Sequence, residues 1–166
     1  MKHGIIFVRK EKGMSSYDVI RILKRKFHTS KIGHAGTLDP FACGLLILGI
    51  NEGTKVLPYI ENENKEYIGE LILGKETDTY DVTGKVIKTK KVKKHTFEEI
   101  DNALHSFVGK IKQTPPLYSA IKVEGKPLYK YARENKKIDI KPRTQIIYDV
   151  RLIAFKKDHI YFYVKC

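Results

Sequence analysis

Gly33-His34-Ala35-Gly36-Thr37-Leu38-Asp39-Pro40 sets two glycines, a histidine and one proline-braced carboxylate within a single short stretch. Gly33 and Gly36 permit backbone angles closed to other residues and allow close approach of a ligand. Pro40 restricts Asp39 to extended backbone, so the acid sits on a stiffened loop. A loop that presents one carboxylate in this way points to function; the competing reading is an Asp that caps the next element. On the N-terminal side, Ser15 or Ser16 is placed to cap a helix running to about Phe27. That helix has Val19, Ile20, Leu23 and Phe27 on one face and Arg21, Lys24, Arg25 and Lys26 on the other. On the C-terminal side, Leu45 to Ile50 is an apolar strand, and Gly4 to Val8 is another.

The rest of the chain alternates without a regular repeat. A short helix is expected near Pro58 to Ile60. A long strand follows over Lys65 to Gly74, with Tyr67, Gly69, Leu71 and Leu73 on one face. Thr77 to Gly84 is dense in turn formers, in which Asp78 and Asp81 accept backbone hydrogen bonds. Lys85 to Lys94 is a lysine-studded edge strand whose charges protect solubility. Thr96-Phe97-Glu98-Glu99 is a capping box that opens a helix with Phe97, Ile100, Leu104 and Phe107 inward and Gly109 as its stop. Pro127 to Arg133 is helical, and two strands, Thr144 to Phe155 and His159 to Val164, complete the pattern. The class is α+β, with a mixed, mainly antiparallel sheet flanked by helices, and residues 1–166 are expected to form one domain.

Composition narrows the function. The 166 residues carry 32 Lys and Arg against 19 Asp and Glu, a net charge of +13, and nucleic acid is the natural partner for such a balance. Lysine enrichment also arises from a thermophilic habit, so charge alone leaves a solvated basic surface open. No apolar run approaches the roughly 18 residues of a membrane span. No signal-peptide pattern precedes the first strand. Cys43 and Cys166 are too few for a disulfide framework, which agrees with a cytoplasmic location. Cys43 reads as a small filler. No Cys/His cluster has metal spacing.

Three further segments carry chemistry. Lys65-Glu66-Tyr67 puts an aromatic beside a basic residue at a strand start. Leu73 to Asp81 contains Thr77-Asp78-Thr79-Tyr80-Asp81. Gln113-Thr114-Pro115-Pro116-Leu117-Tyr118-Ser119-Ala120-Ile121-Lys122 leads to Gly125-Lys126-Pro127-Leu128-Tyr129-Lys130-Tyr131-Ala132-Arg133, interleaving lysines with tyrosines in a surface that can hold phosphates and stack on unpaired bases. Together, and in this order, these segments and the acid loop closely resemble the TruB family of tRNA pseudouridine synthases. The likeness runs from Lys10-Glu11-Lys12-Gly13-Met14-Ser15-Ser16 onward, with Glu11 standing where the family usually has Pro.

The resemblance implies a pseudouridine synthase fold and isomerisation of a T-loop uridine of tRNA (position 55 by tRNA convention). Asp39 matches the catalytic aspartate, as nucleophile or as base. Tyr67 matches the tyrosine that stacks on the target base, and His34 the histidine that helps hold flipped-out nucleotides. Leu38 and Lys65 complete the expected substrate contacts. Residues from about 107 to 133 match an RNA-clasping insertion. Lys10, Tyr118, Lys122, Lys126, Tyr129 and Arg133 are the expected RNA contacts. The reaction involves no redox step, phosphoryl transfer or hydrolysis, so no cofactor and no metal is expected, and the T-arm of tRNA is the expected partner.

In the family, the strand matching His159 to Cys166 leads into a Gly-Thr-Tyr-Ile-Arg segment whose Arg pairs with the catalytic aspartate. The sequence stops before it, so the C-terminal part is expected to be missing and the 166 residues to be weak or inactive by themselves. The alternative functions are a non-catalytic RNA-binding or tRNA-folding module and a guide-RNA-dependent relative.

Overall fold

The computed structural model of the chain describes residues 2–116, 119, 121–134, 136 and 138–166, with the side chains of residues 122, 129, 132 and 133 outside that description. The chain divides into two compact units, Met1–Glu63 and Asn64–Cys166, at a polar run, Glu61-Asn62-Glu63-Asn64-Lys65.

The first unit is built on a three-stranded antiparallel sheet of β1 (Gly4–Lys10), β2 (Ile32–His34) and β3 (Gly44–Ile50), in the order β1-β3-β2. Helix α1 (Ser16–Phe27) packs on it, placing Val19 and Ile20 against Leu46 and Leu48, with Val8, Met14, Leu23 and Ile32 around them. Each of these fully buried aliphatic side chains contributes about 1.5–3 kcal/mol, so this cluster is what holds the unit together. A 3-10 turn over Asn51–Lys55 and the short α2 (Leu57–Glu61) close it.

Both ends of α1 are written locally. The Ser15 hydroxyl accepts from the Asp18 N–H at 3.1 Å, and the Asp18 carboxylate accepts from the Ser15 N–H at 2.9 Å. His28 ends the helix in the left-handed region at φ 48°, and Lys24, Arg25 and Lys26 complement its negative end. The Ser15 hydroxyl and N–H, with the Arg21 guanidinium, hold the Asp18 carboxyl below the usual carboxylate range. A depressed folded-state pKa stabilises above the unfolded value and stops doing so as pH falls through the folded one. Thermal unfolding between pH 7 and 3 should therefore show a smaller acid-induced loss for Asp18→Asn than for the parent.

The second unit has a three-stranded antiparallel sheet in the order β11-β12-β4, formed by β4 (Glu66–Ile72), β11 (Asp149–Lys156) and β12 (His159–Lys165). Two-stranded antiparallel pairs join β5 (Lys75–Thr77) to β6 (Val86–Thr89), β7 (Gly109–Gln113) to β10 (Arg143–Ile147), and β8 (Lys122–Val123) to β9 (Lys126–Pro127). The helices are α3 (Phe97–His105), which lies against β11 and buries Ile100, and α4 (Leu128–Arg133). Every strand pairing among the described residues is antiparallel, and the class is α+β.

Three local expectations are corrected. Helix α3 stops at His105 with Ser106 as its cap, before Gly109, which opens β7 at φ 107°. Phe97 and Phe107, expected inward, are 56% and 55% exposed, because Phe97 is the first helical residue and Phe107 lies past the last turn. The strand expected over Thr144 to Phe155 breaks at Tyr148, and its halves join different sheets, β10 with β7 and β11 with β12. Among the described residues no helix is long and apolar enough to cross a membrane.

Candidate active site

In the first unit the acid loop is tied down residue by residue. β2 carries Gly33 and His34 into the sheet, paired with Gly49 and Leu48, and the Ala35 N–H extends that ladder to the Ile47 carbonyl at 2.9 Å. Space is tight at Gly33: a Cβ there would meet the Leu57 side chain at 3.1 Å, so that side chain would have to give by a few tenths of an ångström. Gly36 is needed for conformation, at φ 101°. The chain then reaches the turn that holds Asp39 and Pro40, closed by the Ala42 N–H donating to the Asp39 carbonyl at 3.0 Å.

Three ties run from residues 10–16 to this loop. The buried Ser16 hydroxyl accepts from the Leu38 N–H at 2.9 Å and donates to the Leu38 carbonyl at 3.0 Å. The Gly13 N–H donates to the Pro40 carbonyl at 2.7 Å. The Lys10 ammonium donates to the carbonyls of Ala42 at 2.6 Å, Met14 at 2.7 Å and Glu11 at 3.0 Å. Lys10 is 1% exposed and all three of its donors are spent on backbone. The expectation that Lys10 touches RNA is therefore corrected: it is an internal brace of the acid loop.

With its backbone held on both sides, Asp39 itself is exposed, and its carboxylate has no side-chain hydrogen bond or ion pair among the described residues. His34 is half-buried, and its Nδ1 is buried without a hydrogen-bond partner among the described residues. Leu38 is half-buried between them in sequence. A rigid backbone presenting a free carboxylate at a solvent-accessible tip is suited to nucleophilic or proton-transfer work on a bound molecule.

In the second unit Tyr67 lies near the start of β4, in register with Val164 of β12. Its side chain is 43% exposed, and its phenol is pushed above the usual range, chiefly by burial and further by Cys166. The ring is thus partly buried and partly accessible. Lys65 precedes the strand, exchanging backbone hydrogen bonds with Cys166 at 2.8 and 2.9 Å. Lys126 is an engaged cation: it pairs with Glu134 and lies 4.8 Å from the centre of the Tyr131 ring. Lys122 belongs to β8, and Tyr129 and Arg133 to α4, with their side chains outside the described residues; Tyr118 lies outside them altogether.

Residues 24–166 match the family model described as TruB family pseudouridylate synthase, N-terminal domain. The chain belongs to the TruB family. Among its relatives, the tRNA pseudouridine synthase B of Thermotoga maritima is 46% identical over 150 residues, covering 90% of this chain and 48% of the relative. That of Lactobacillus acidophilus is 48% identical over 147 residues, covering 88% and 49%. In fold, the chain is similar to a chain of a Cbf5–Nop10–Gar1 complex, with a TM-score of 0.71 and 25% identity over 98% of this chain and 39% of that one. The chain spans about half the length of the curated relatives it matches.

Within this TruB chain, Ser16, read from the sequence only as one of two candidate helix caps, instead holds the acid loop through Leu38. The Ser15-Ser16 pair held the signal: one serine suffices to cap a helix, which frees the second for the loop. Lys10 gave no such signal, since its partners are carbonyls that any sequence supplies.

Proposed function

We propose that this chain carries the catalytic carboxylate of a tRNA pseudouridine synthase that acts on the T-loop uridine at position 55. The observation that supports this best is Asp39, unpartnered among the described residues and exposed on a backbone clamped by Ser16, Gly13 and Lys10, in a chain of the TruB family. The relatives' name, tRNA pseudouridine synthase B, supplies the substrate class.

The isomerisation breaks the N1–C1′ bond, turns the uracil while it stays bound, and joins C5 to C1′; the C5 proton is lost and N1 gains one. Atoms and electrons balance with no oxidant and no leaving group. Asp39 acts at the sugar–base junction, as nucleophile or as base. The uridine must leave its stack to be reached, and Tyr67 provides an aromatic wall for it. His34 and Lys65 hold neighbouring nucleotides, and Leu38 helps exclude water from the loosened base. The T-arm is the part of tRNA recognised.

The test is a single-turnover assay with the chain in excess over tRNA carrying tritium at uridine C5, where even slow chemistry registers. Tritium release from the parent transcript, and none from one with cytidine at position 55, is the expected result. Release from both transcripts overturns the positional assignment. Specific tRNA binding without release overturns activity of these 166 residues by themselves and leaves an RNA-binding module or an inactive part of a larger synthase.

A further inference from the structure

The densest positive charge in the described chain lies away from the acid loop in sequence, over residues 85–94. Lys85, Lys88, Lys90, Lys91, Lys93 and Lys94 occupy six of these ten positions, and no acidic residue falls among them. All six are exposed, and none makes an ion pair or side-chain hydrogen bond among the described residues. Other cations on the surface are engaged: Arg21 with Asp18, Lys31 and Lys55 with Glu52, Lys126 with Glu134.

Edge protection does not account for this density. The paired edge strand β6 covers only Val86–Thr89 and contains one of the six, Lys88, opposite Glu76. A single charge is enough to block edge-to-edge pairing. Lys85 and Lys90 flank that strand through backbone hydrogen bonds with Asp78 and Gly74, and Lys91, Lys93 and Lys94 lie beyond it, where no strand edge needs guarding.

Nor is the segment a loose tail. The Lys90 N–H donates to the Gly74 carbonyl at 2.8 Å, and the half-buried Val92 is seated on Gly74. Gly74 has φ 79°, and a Cβ there would come within 2.5 Å of the Lys90 carbonyl and 2.6 Å of the Val92 side chain. The glycine thus lets the strip be pinned at its middle, with Lys90 and Lys91 on one side of the anchor and Lys93 and Lys94 on the other. Holding four like charges together costs free energy through mutual repulsion, which a polyanion relieves.

We propose that residues 85–94 are a binding arm for the phosphodiester backbone of RNA, acting without regard to base sequence. This rests on the reading of the chain as a tRNA-binding enzyme. It adds an RNA-binding surface that is separate in sequence from both the acid loop and the tyrosine-rich insertion.

The test replaces Lys90, Lys91, Lys93 and Lys94 together by Gln, with an all-Arg counterpart as control. Binding is titrated over a range of salt to tRNA, to an unrelated RNA hairpin of equal length, and to phosphatidylglycerol–phosphatidylcholine vesicles. Each phosphate left without its lysine lowers the slope of log K against log salt by about 0.7–0.9, so the Gln variant should drop by about 3 in slope and at least about tenfold in affinity at low salt. The weakening should be equal for both RNAs, and the Arg variant should bind like the parent. Unchanged RNA binding by the Gln variant overturns the arm while leaving the proposed activity standing, as does a weakening confined to vesicles. A parent that binds neither RNA overturns the arm and the functional reading together.

Discussion

Asp39→Asn is expected to abolish uridine isomerisation, with the single-turnover rate falling by about 10²–10⁴, the range for removing a positioned acid–base group. Asn keeps the shape of the side chain and removes only its charge and proton affinity. The Asp39 carboxylate is exposed and supports nothing else among the described residues, so stability should change by less than about 0.5 kcal/mol. The backbone stays in place because its ties come from Ser16, Gly13 and Lys10 rather than from the carboxylate. Binding should be unchanged or slightly tighter, since removing a negative charge from a surface that meets phosphates reduces repulsion. Rate, melting temperature and tRNA affinity measured together separate the possibilities. A rate within threefold of the parent removes Asp39 from the chemistry, and a fall in melting temperature assigns it a structural role instead.

How far the sequence could be read depended on whether the deciding interactions were local. Helix α1 was legible almost to the residue, because its cap, its apolar face and its basic last turn all lie within it. The start of α3 was legible for the same reason, through Thr96 and Glu99. Its end was not: Gly109 looks like a stop, yet its positive φ opens a strand whose partner, β10, begins thirty-four residues further on at Arg143. The break at Tyr148 was hidden similarly, since the stretch is continuously strand-forming and only long-range pairing divides it. The proposal of Asp39 and Tyr67 as site residues came from motif, whereas what holds the acid loop came only from the fold. Lys10 acts on a backbone carbonyl thirty-two positions away and leaves no trace in residue type, whereas Ser16 acts on backbone twenty-two positions away and is hinted at only by the serine pair.

Lys10 offers the sharpest contrast between the two kinds of reading. As an RNA-binding residue it would lower affinity and salt dependence when removed, leave stability alone, and tolerate Arg. As an internal brace it should do the reverse. Lys10→Met leaves the carbonyls of Glu11, Met14 and Ala42 without their donor, each at a cost of about 1–3 kcal/mol. Part of this is offset because a buried ammonium no longer has to be stripped of water. A net destabilisation on the order of 3 kcal/mol remains, which for a chain of this length lowers the melting temperature by roughly 10 °C. Lys10→Arg should be nearly as damaging, because a planar guanidinium cannot reproduce a compact ammonium that gathers three carbonyls within 3.0 Å. At temperatures where the variants remain folded, the rate should still drop by at least about tenfold, since Ala42 closes the turn on Asp39 and even a small misplacement of a reacting group is costly. Affinity for tRNA should stay within about twofold of the parent. A stable, fully active Met variant with weakened, less salt-sensitive tRNA binding would return Lys10 to the RNA surface and leave the acid loop braced by Ser16 and Gly13 alone.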